Sequence, residues 1–497
     1  MKSYSLNNFK SFGSNQIIPI KPITLIYGAN SSGKSSIIHG YLFIRELFKT
    51  GECDIDKFTI GGELLDIGGF KQYLHKKEYK SRNLSLEVKL KDYTCIVEIE
   101  ADGNDRKQLK SKAYIFSIKV YNKDQIHIFT FQYNKTSQKY KLEYCLDLSE
   151  EKMNILNITL DIKKLFDFTG LCLNCDALDE LIMFKISNPL QYIVYELEKG
   201  YDNIIYLGPI RSYPTRDISL SEESNSDMDY NAWNIVKKDK VVRDKVNKWL
   251  GGEDSKLKTG YELSVKKYLD PKDYLEGLIS IISNPYEEIE NELGELFDID
   301  EETVQEYMID FSNKLHDEYD DFKEDKFIEF LSNKYSKQTI EELIIRDLRT
   351  DTTVSHRDIG VGISQVLPVL VSAYASKNAI VAIEQPELHL HPALQSEIAD
   401  VFIETALGEN KNTYLIETHS EHLLLRIMKR IRETTSGELE DNLIPINPND
   451  VQILFVMPGQ NVSGSVIKKI DLNVEGELID DWPGGFFEEG YNERFGI

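Results

Sequence analysis

Residues 28–35 read GANSSGKS, the spacing G-x-x-x-x-G-K-S, and this octet constrains the fold more than any other part of the chain. A β-branched apolar run, 23–27, precedes it, and Ile37, Ile38, Tyr41 and Leu42 follow at helical spacing. A chance glycine turn would not carry both flanks. Glycines let such a loop wrap a phosphate with successive backbone N–H groups pointing inward, and the following helix adds its positive end. The implied ligand is ATP with Mg2+: Lys34 reaches the β- and γ-phosphates and Ser35 ligates the metal, within a cradle of Gly28, Asn30, Ser31, Ser32, Gly33 and Ser36. The fold implied is α/β.

Upstream, residues 6–20 read as two short strands joined at a turn, so the cradle does not follow the first strand. This resembles ABC-type ATPase heads of the SMC kind, in which an N-terminal strand pair carries a basic and aromatic element that touches the base and the α-phosphate. Lys10, Ser11 and Phe12 either play that part or form an edge strand with an ordinary surface lysine.

More than three hundred residues later, 358–392 read DIGVGISQVLPVLVSAYASKNAIVAIEQPELHLHP. Gly360, Gly362, Ser364 and Gln365 precede a helix-like apolar segment. They resemble either the signature loop of ABC ATPases, which contacts the γ-phosphate held by another subunit, or a simple helix-capping loop. Residues 379–383 form a short buried strand, and Glu384 at its end takes the Walker B position in the Mg2+ shell. Gln385 then falls where a catalytic glutamate is usual. A glutamine orients water but accepts no proton, so Glu387 is the alternative base. Phosphoryl transfer depends mainly on positioning and charge stabilisation, and slow hydrolysis is therefore expected. His389 and His391 share one side of an extended segment, which invites a metal reading. The simpler reading is the turn after Walker B, with Pro392 starting a helix. A second apolar strand, 413–417, ends at Thr418 and His419, where His419 senses the γ-phosphate or caps the next helix; His422 is read as structural.

The 497-residue chain is long enough for two to four structural units, and its formal charge of −25 argues against gripping a nucleic acid over its whole surface. Any such contact is local or supplied by a partner. The polar start and the lack of an apolar run of membrane length lead to the expectation of a cytoplasmic protein with no membrane contact. Five scattered cysteines suit reduced thiols; Cys172 and Cys175 form one CxxC without a second pair, and are read as buried thiols.

Between the two halves, 62–76 occupies the place of a Q-loop, with Gln72 available as a Mg2+ or water ligand. Residues 83–144 alternate apolar and polar side chains, an antiparallel β-subdomain whose lysine-rich turns are solvated faces or a local basic patch. From 219 to 349 the chain reads as helical and acidic, with seventeen Asp and Glu against two Lys over 286–325. This is a solvated face or a docking arm for a basic partner, and too short for a long coiled coil. Arg211 and Arg216 either reach phosphate or a partner or form structural ion pairs.

Taken in order, GANSSGKS, YLGPIRSYPTR (206–216), GVGISQVLPVL, IEQPELHLHP, IETHSEHLLLRI and the tail EGELIDDWPGGFFEE resemble the AAA-like ATPases of the OLD and ABC superfamily in bacterial anti-phage defence, most of all the Septu-type ATPase and retron-associated relatives. The resemblance implies an α/β ABC-type P-loop head split by a β-subdomain and a helical acidic insertion. It divides into 1–80, 81–205, 206–350, 351–440 and a tail, 441–497. It also implies a homodimer or higher oligomer assembled through the heads, and a separate nuclease, often HNH-type. Asp471, Glu475, Glu477, Asp480 and Asp481 form no DxD-type centre, so this chain is expected to lack a nuclease of its own. A non-hydrolysing, ATP-bound scaffold is the alternative; a transporter or DNA-repair head is a further one.

Overall fold

The computed structural model describes residues 1–60, 63–77, 83–101, 113–137, 139–145, 153–158, 188–189, 191–193, 195–196, 203–209, 211, 232–251, 259–269, 339–354, 359–459 and 464–483. It falls into two units. The first comprises Met1–Tyr213, Asn225–Gly260 and Arg357–Ile497, and the second Pro214–Ser224 and Tyr261–His356.

In chain order the strands up to the midpoint are β1 (Ser3–Asn7), β2 (Gln16–Pro19), β3 (Ile23–Gly28), β4 (Lys57–Ile60), β5 (Glu63–Asp66), β6 (Leu84–Lys89), β7 (Tyr93–Ala101), β8 (Ala113–Asn122), β9 (His127–Asn134), β10 (Lys139–Cys145), β11 (Met153–Ile158) and β12 (Ile204–Leu207). There follow β13 (Tyr261–Leu269), β14 (Thr339–Asp347), β15 (Thr352–Val354), β16 (Ile380–Glu384), β17 (Thr413–Glu417), β18 (Val451–Met457) and β19 (Val466–Ile470). The helices are α1 (Lys34–Thr50), α2 (Phe70–Tyr73), α3 (Ala232–Lys238), α4 (Lys240–Leu250), α5 (Val361–Ala375), α6 (Pro392–Leu407) and α7 (Glu421–Ser436).

Two sheets sandwich α1 in the first unit. One has six strands in the order β12-β16-β17-β3-β18-β19, parallel from β12 to β18 with β19 antiparallel at the edge. Every residue of β3 is buried, as a strand covered on both faces requires. Register aligns Glu384 with Glu417 and Glu417 with Ile26, so the carboxyl ends of β3, β16 and β17 finish on one edge. In open α/β sheets that edge is where ligands bind.

The other sheet is antiparallel, β11-β10-β9-β8-β7-β6-β1-β2. The alternating segment thus forms the expected antiparallel sheet, and shares it with the N-terminal strand pair. Leu86, Val97, Ile118 and Phe131 face one side and join Ile38, Tyr41 and Leu42 of α1 in a common core. Tyr4 donates its hydroxyl to the Ile37 carbonyl at 2.7 Å. A side chain at Gly40 would strike Leu6, so this glycine lets α1 lie directly on β1. On this sheet Lys119, Lys135 and Lys141 pair with Glu98, Glu100 and Glu143, so these lysines form no uncompensated basic patch.

The second unit holds β13, β14 and β15 in one antiparallel sheet. This departs from the helical reading of 219–349, which holds for α3 and α4 but not here. The stretch YELSVKKYL alternates with period two at its start, and an apolar face of that period needs a partner strand, which β14 supplies from seventy residues away. The acidic run 286–325, Cys172, Cys175 and Arg216 lie outside the described residues. Cys53 and Cys95 are buried free thiols, and burial pushes the Cys95 thiol up to about 12, leaving it inert at neutral pH. Among the described residues no helix is long and apolar enough to cross a membrane.

Candidate functional site

The cradle is built by backbone conformations that only glycine adopts easily. Gly33, at φ 104°, has Ser11 so close that an added Cβ would lie 2.0 Å from its hydroxyl; at Gly28, φ 147°, it would lie 2.4 Å from the Val456 carbonyl. Helix α1 then begins at Lys34 with no side-chain cap and no acidic residue in its first turn, which leaves its leading N–H groups for an anion. Ala29, Asn30 and Ser31 are exposed at the loop tip, whereas Ser32 and Ser36 are buried, the Ser32 hydroxyl without a partner. Lys34 is buried; its ammonium donates to the Gly28 and Ala29 carbonyls at 3.1 and 3.0 Å and lies 3.9 Å from Glu417 Oε1. Ser35 donates to Glu417 Oε2 at 2.7 Å.

Opposite the cradle, Glu384 Oε1 accepts from Tyr206 at 3.0 Å, and His39 Nε2 lies 3.3 Å from the same oxygen. Gln385 turns the chain with a left-handed φ of 47°, and its backbone N–H donates to the Glu417 carbonyl at 2.7 Å, tying the ends of β16 and β17. Its side-chain amide is half-buried and makes no hydrogen bond among the described residues. Glu387 differs: it is buried, and its two oxygens accept from Thr418 Oγ1 at 2.8 Å and the His419 N–H at 2.7 Å. It anchors the 418–420 turn, and both oxygens are engaged in doing so.

Three carboxylates close together in a buried space repel each other. Burial first, then the Glu384 charge, push the Glu417 carboxyl up to about 7; burial also raises Glu387. Burial lowers Lys34, and burial followed by the Lys34 charge lowers His419, placing that ring within electrostatic reach of the cradle. A carboxyl whose folded pKa is raised contributes its full stability below its ordinary 4.5 and loses it as pH rises through about 7. Glu417→Gln is therefore expected to melt above wild type at pH 8 in chelator-treated buffer, with the gap closing near pH 5. Thermal melts across that range check it.

The Lys10 backbone is left-handed, its ammonium sits 2.5 Å from His39 Nδ1, and its carbonyl meets His75 Nδ1 at 2.9 Å. Phe12 is fully buried in the core and paired through its backbone with Phe9. Its ring has no face for a base, which corrects the reading of Phe12 as a nucleotide contact: a short strand pair packed on α1 needs its aromatics inside. Gln72 is exposed beside Gly68 and makes no hydrogen bond to Ser35, Glu384 or Glu417.

The glycine and serine residues of the signature-like stretch are not a loop before a helix. Gly360 is the N-cap and α5 starts at Val361, so Gly362, Ser364 and Gln365 occupy its first turns. A side chain at Gly362 would meet the His389 carbonyl at 2.7 Å, so α5 rests on the turn after β16. Ser364 is buried, and buried Gln365 clasps Arg211, accepting from its N–H and donating to its carbonyl, each at 3.0 Å. Arg211 in turn donates to the Glu384 carbonyl at 2.8 Å and to the Gln385 and Gln365 carbonyls at 3.4 Å. His389 is exposed, and His391 caps α6 with Pro392 in its first turn, as the simpler reading of those histidines requires.

Sequence reasoning missed Glu417, His39 and Tyr206. Glu417 carried a signal, being a carboxylate ending an apolar strand as Glu384 does. His39 and Tyr206 carried none, because their partners are distant in the chain. Ser35, Glu384 and Glu417 offer the hard oxygen donors that Mg2+ prefers. Among the described residues no three or more His, Cys, Asp or Glu form a metal-holding group by themselves.

The family described as AAA ATPase domain matches residues 1–424. No curated protein matches. Among solved structures, an SMC head bound to the C-winged helix domain of ScpA aligns at 12% identity and a TM-score of 0.38, covering 95% of this chain and 98% of that one. The SMC head domain from Thermotoga maritima aligns at 10% identity and 0.33, covering 95% and 99%. The Smc head with an extended coiled coil bound to the C-terminal domain of ScpA, from Pyrococcus furiosus, aligns at 12% and 0.32, covering 95% and 96%. TM-scores this low fix no shared placement of elements.

Proposed function

The chain belongs to the AAA ATPase domain family, and from that premise we propose that it binds Mg2+ and ATP at the 28–36 cradle and hydrolyses the nucleotide slowly. The observation that carries this reading is the convergence of Lys34, Ser35, Glu384 and Glu417 on one sheet edge, before a helix start left open for an anion. Ser35 and Glu384 would hold the metal, with Glu417 orienting Ser35. Bound Mg2+ supplies charge compensation to the phosphate oxygens. Lys34 and the leading N–H groups of α1 hold the phosphates, Gln385 orients the attacking water, and His419 reads the terminal phosphate. Turnover is slow because Gln385 takes no proton and Glu387 is engaged in the 418–420 turn.

The sequence resemblance to anti-phage ATPases supports a wider role: the chain assembles through its heads, and its nucleotide state regulates a separate nuclease, of the HNH type, through which nucleic acid is met. A nucleotide-locked scaffold is the second reading, and the engagement of Glu387 favours it over fast turnover.

Phosphate release by wild type beside Gln385→Glu decides between them. The expected outcome is slow wild-type turnover, faster in Gln385→Glu by roughly 10-fold or more, since a positioned base contributes on the order of 100-fold or above. ATP binding with no phosphate release from either protein would select the scaffold. Co-purification of a nuclease whose cutting responds to ATP tests the wider role.

A further inference from the structure

His39 bridges two groups that lie far apart in sequence and meet at the site. Lys10 Nζ lies 2.5 Å from its Nδ1, and its Nε2 lies 3.3 Å from Glu384 Oε1. A lysine ammonium has only donors, so Nδ1 accepts and carries the lone pair. The ring proton then sits on Nε2, the nitrogen that faces the carboxylate. Tyr206 donates to the same Oε1 at 3.0 Å and lies edge-on to the imidazole. Two donors on Oε1 fix the carboxylate plane, and neither engages Oε2. At the other end, Lys10 precedes Ser11, whose side chain packs against Gly33 of the cradle.

We propose that Lys10, His39 and Tyr206 form a positioning relay that orients the Glu384 carboxylate, with His39 locked as its Nε2–H tautomer. It rests on the reading of Glu384 as a Mg2+-holding group. The relay resembles in its physics the outer-shell partners of metal ligands, which set a ligand's orientation and whose loss costs roughly 10–100-fold in metal affinity or activity. His39 itself touches neither nucleotide nor metal here; it acts through Glu384.

Two measurements test it. The first needs no nucleotide. In protein labelled with 15N-histidine, ring-nitrogen spectra at neutral pH, assigned by difference with His39→Gln, are expected to show His39 protonated at Nε2 only. In Lys10→Met, which removes the donor to Nδ1, the two tautomers should mix. A wild-type His39 protonated at Nδ1, or one unaffected by Lys10→Met, overturns the relay.

The second follows Mg2+ titrations of ATP binding and of turnover. His39→Leu is expected to raise the half-saturating Mg2+ concentration by roughly 10–100-fold while metal-free nucleotide binding stays within about twofold, because the cradle is intact. His39→Gln, whose amide can accept from Lys10 and donate to Glu384, should recover most of the loss. A Mg2+ dependence unchanged in His39→Leu overturns the relay even where turnover falls. Should His39→Leu fail to fold, Tyr206→Phe must raise the Mg2+ requirement, and an unchanged requirement there overturns it equally. Failure of the site reading looks different: wild type and Lys34→Ala would then bind nucleotide alike, while the tautomer spectra still decide the relay.

Discussion

Lys34→Ala is expected to bring phosphate release to background, as removal of a preorganised donor to the developing charge does, and to weaken ATP binding by roughly 100-fold, the scale of a lost charge-assisted hydrogen bond of about 3 kcal/mol. Lys34 is also a buried cation on which the Glu417, Glu387 and Glu384 charges act, so its loss leaves their mutual repulsion less compensated. The ligand-free variant should therefore melt below wild type. The clearest measurement is the ATP-dependent shift in unfolding free energy. Wild type gains about 2.7 kcal/mol at a ligand concentration one hundred times its dissociation constant. Lys34→Ala should gain almost nothing at that concentration. An equal ATP-induced gain in both proteins would remove the cradle from the account of the site.

Arg211→Met carries the second large effect. The Arg211 guanidinium is buried and holds the Glu384, Gln385 and Gln365 carbonyls, and its own backbone is clasped by the Gln365 amide. A buried carbonyl left without its partner costs about 1–3 kcal/mol, so a loss of roughly 3 kcal/mol in unfolding free energy is expected. The left-handed turn at Gln385 then keeps only backbone bonds, from its N–H to the Glu417 carbonyl and from the Leu388 N–H to its carbonyl. Turnover should fall further than nucleotide affinity, since the cradle does not touch Arg211. Arg211→Lys should rescue little, because a lysine cannot present donors in several fixed directions. Denaturant melts together with nucleotide binding separate the two effects. Lowered stability with turnover unchanged would make Arg211 a structural clasp alone.

The site was unevenly legible in the sequence. Lys34 and Ser35 were readable because the whole cradle is local: one loop, one strand before it and one helix after it. Glu384 and His419 stood out for the same reason, Glu384 ending one apolar strand and His419 lying two residues past the end of another. Phe12 misled, because a basic and aromatic pair at a turn looks alike whether its ring faces a ligand or the core; packing of β1 and β2 on α1 put it inside. Gln365 misled similarly. A polar residue at a helix start suggests an exposed donor, yet here it is buried against a backbone segment one hundred and fifty-four residues away.

The sequence alone determined that the chain builds a phosphate cradle on an α/β scaffold, since a glycine loop between a buried strand and an amphipathic helix has short-range causes. Tertiary structure decided everything that depends on strand order. Only the parallel pairing of β3, β17 and β16 brings Glu417 onto Ser35 and sets Glu384 beside it, and only the sandwiching of α1 between two sheets brings Lys10 to His39 and His39 to Glu384. Those contacts join residues up to 382 positions apart, and no local propensity encodes which strand lies next to which.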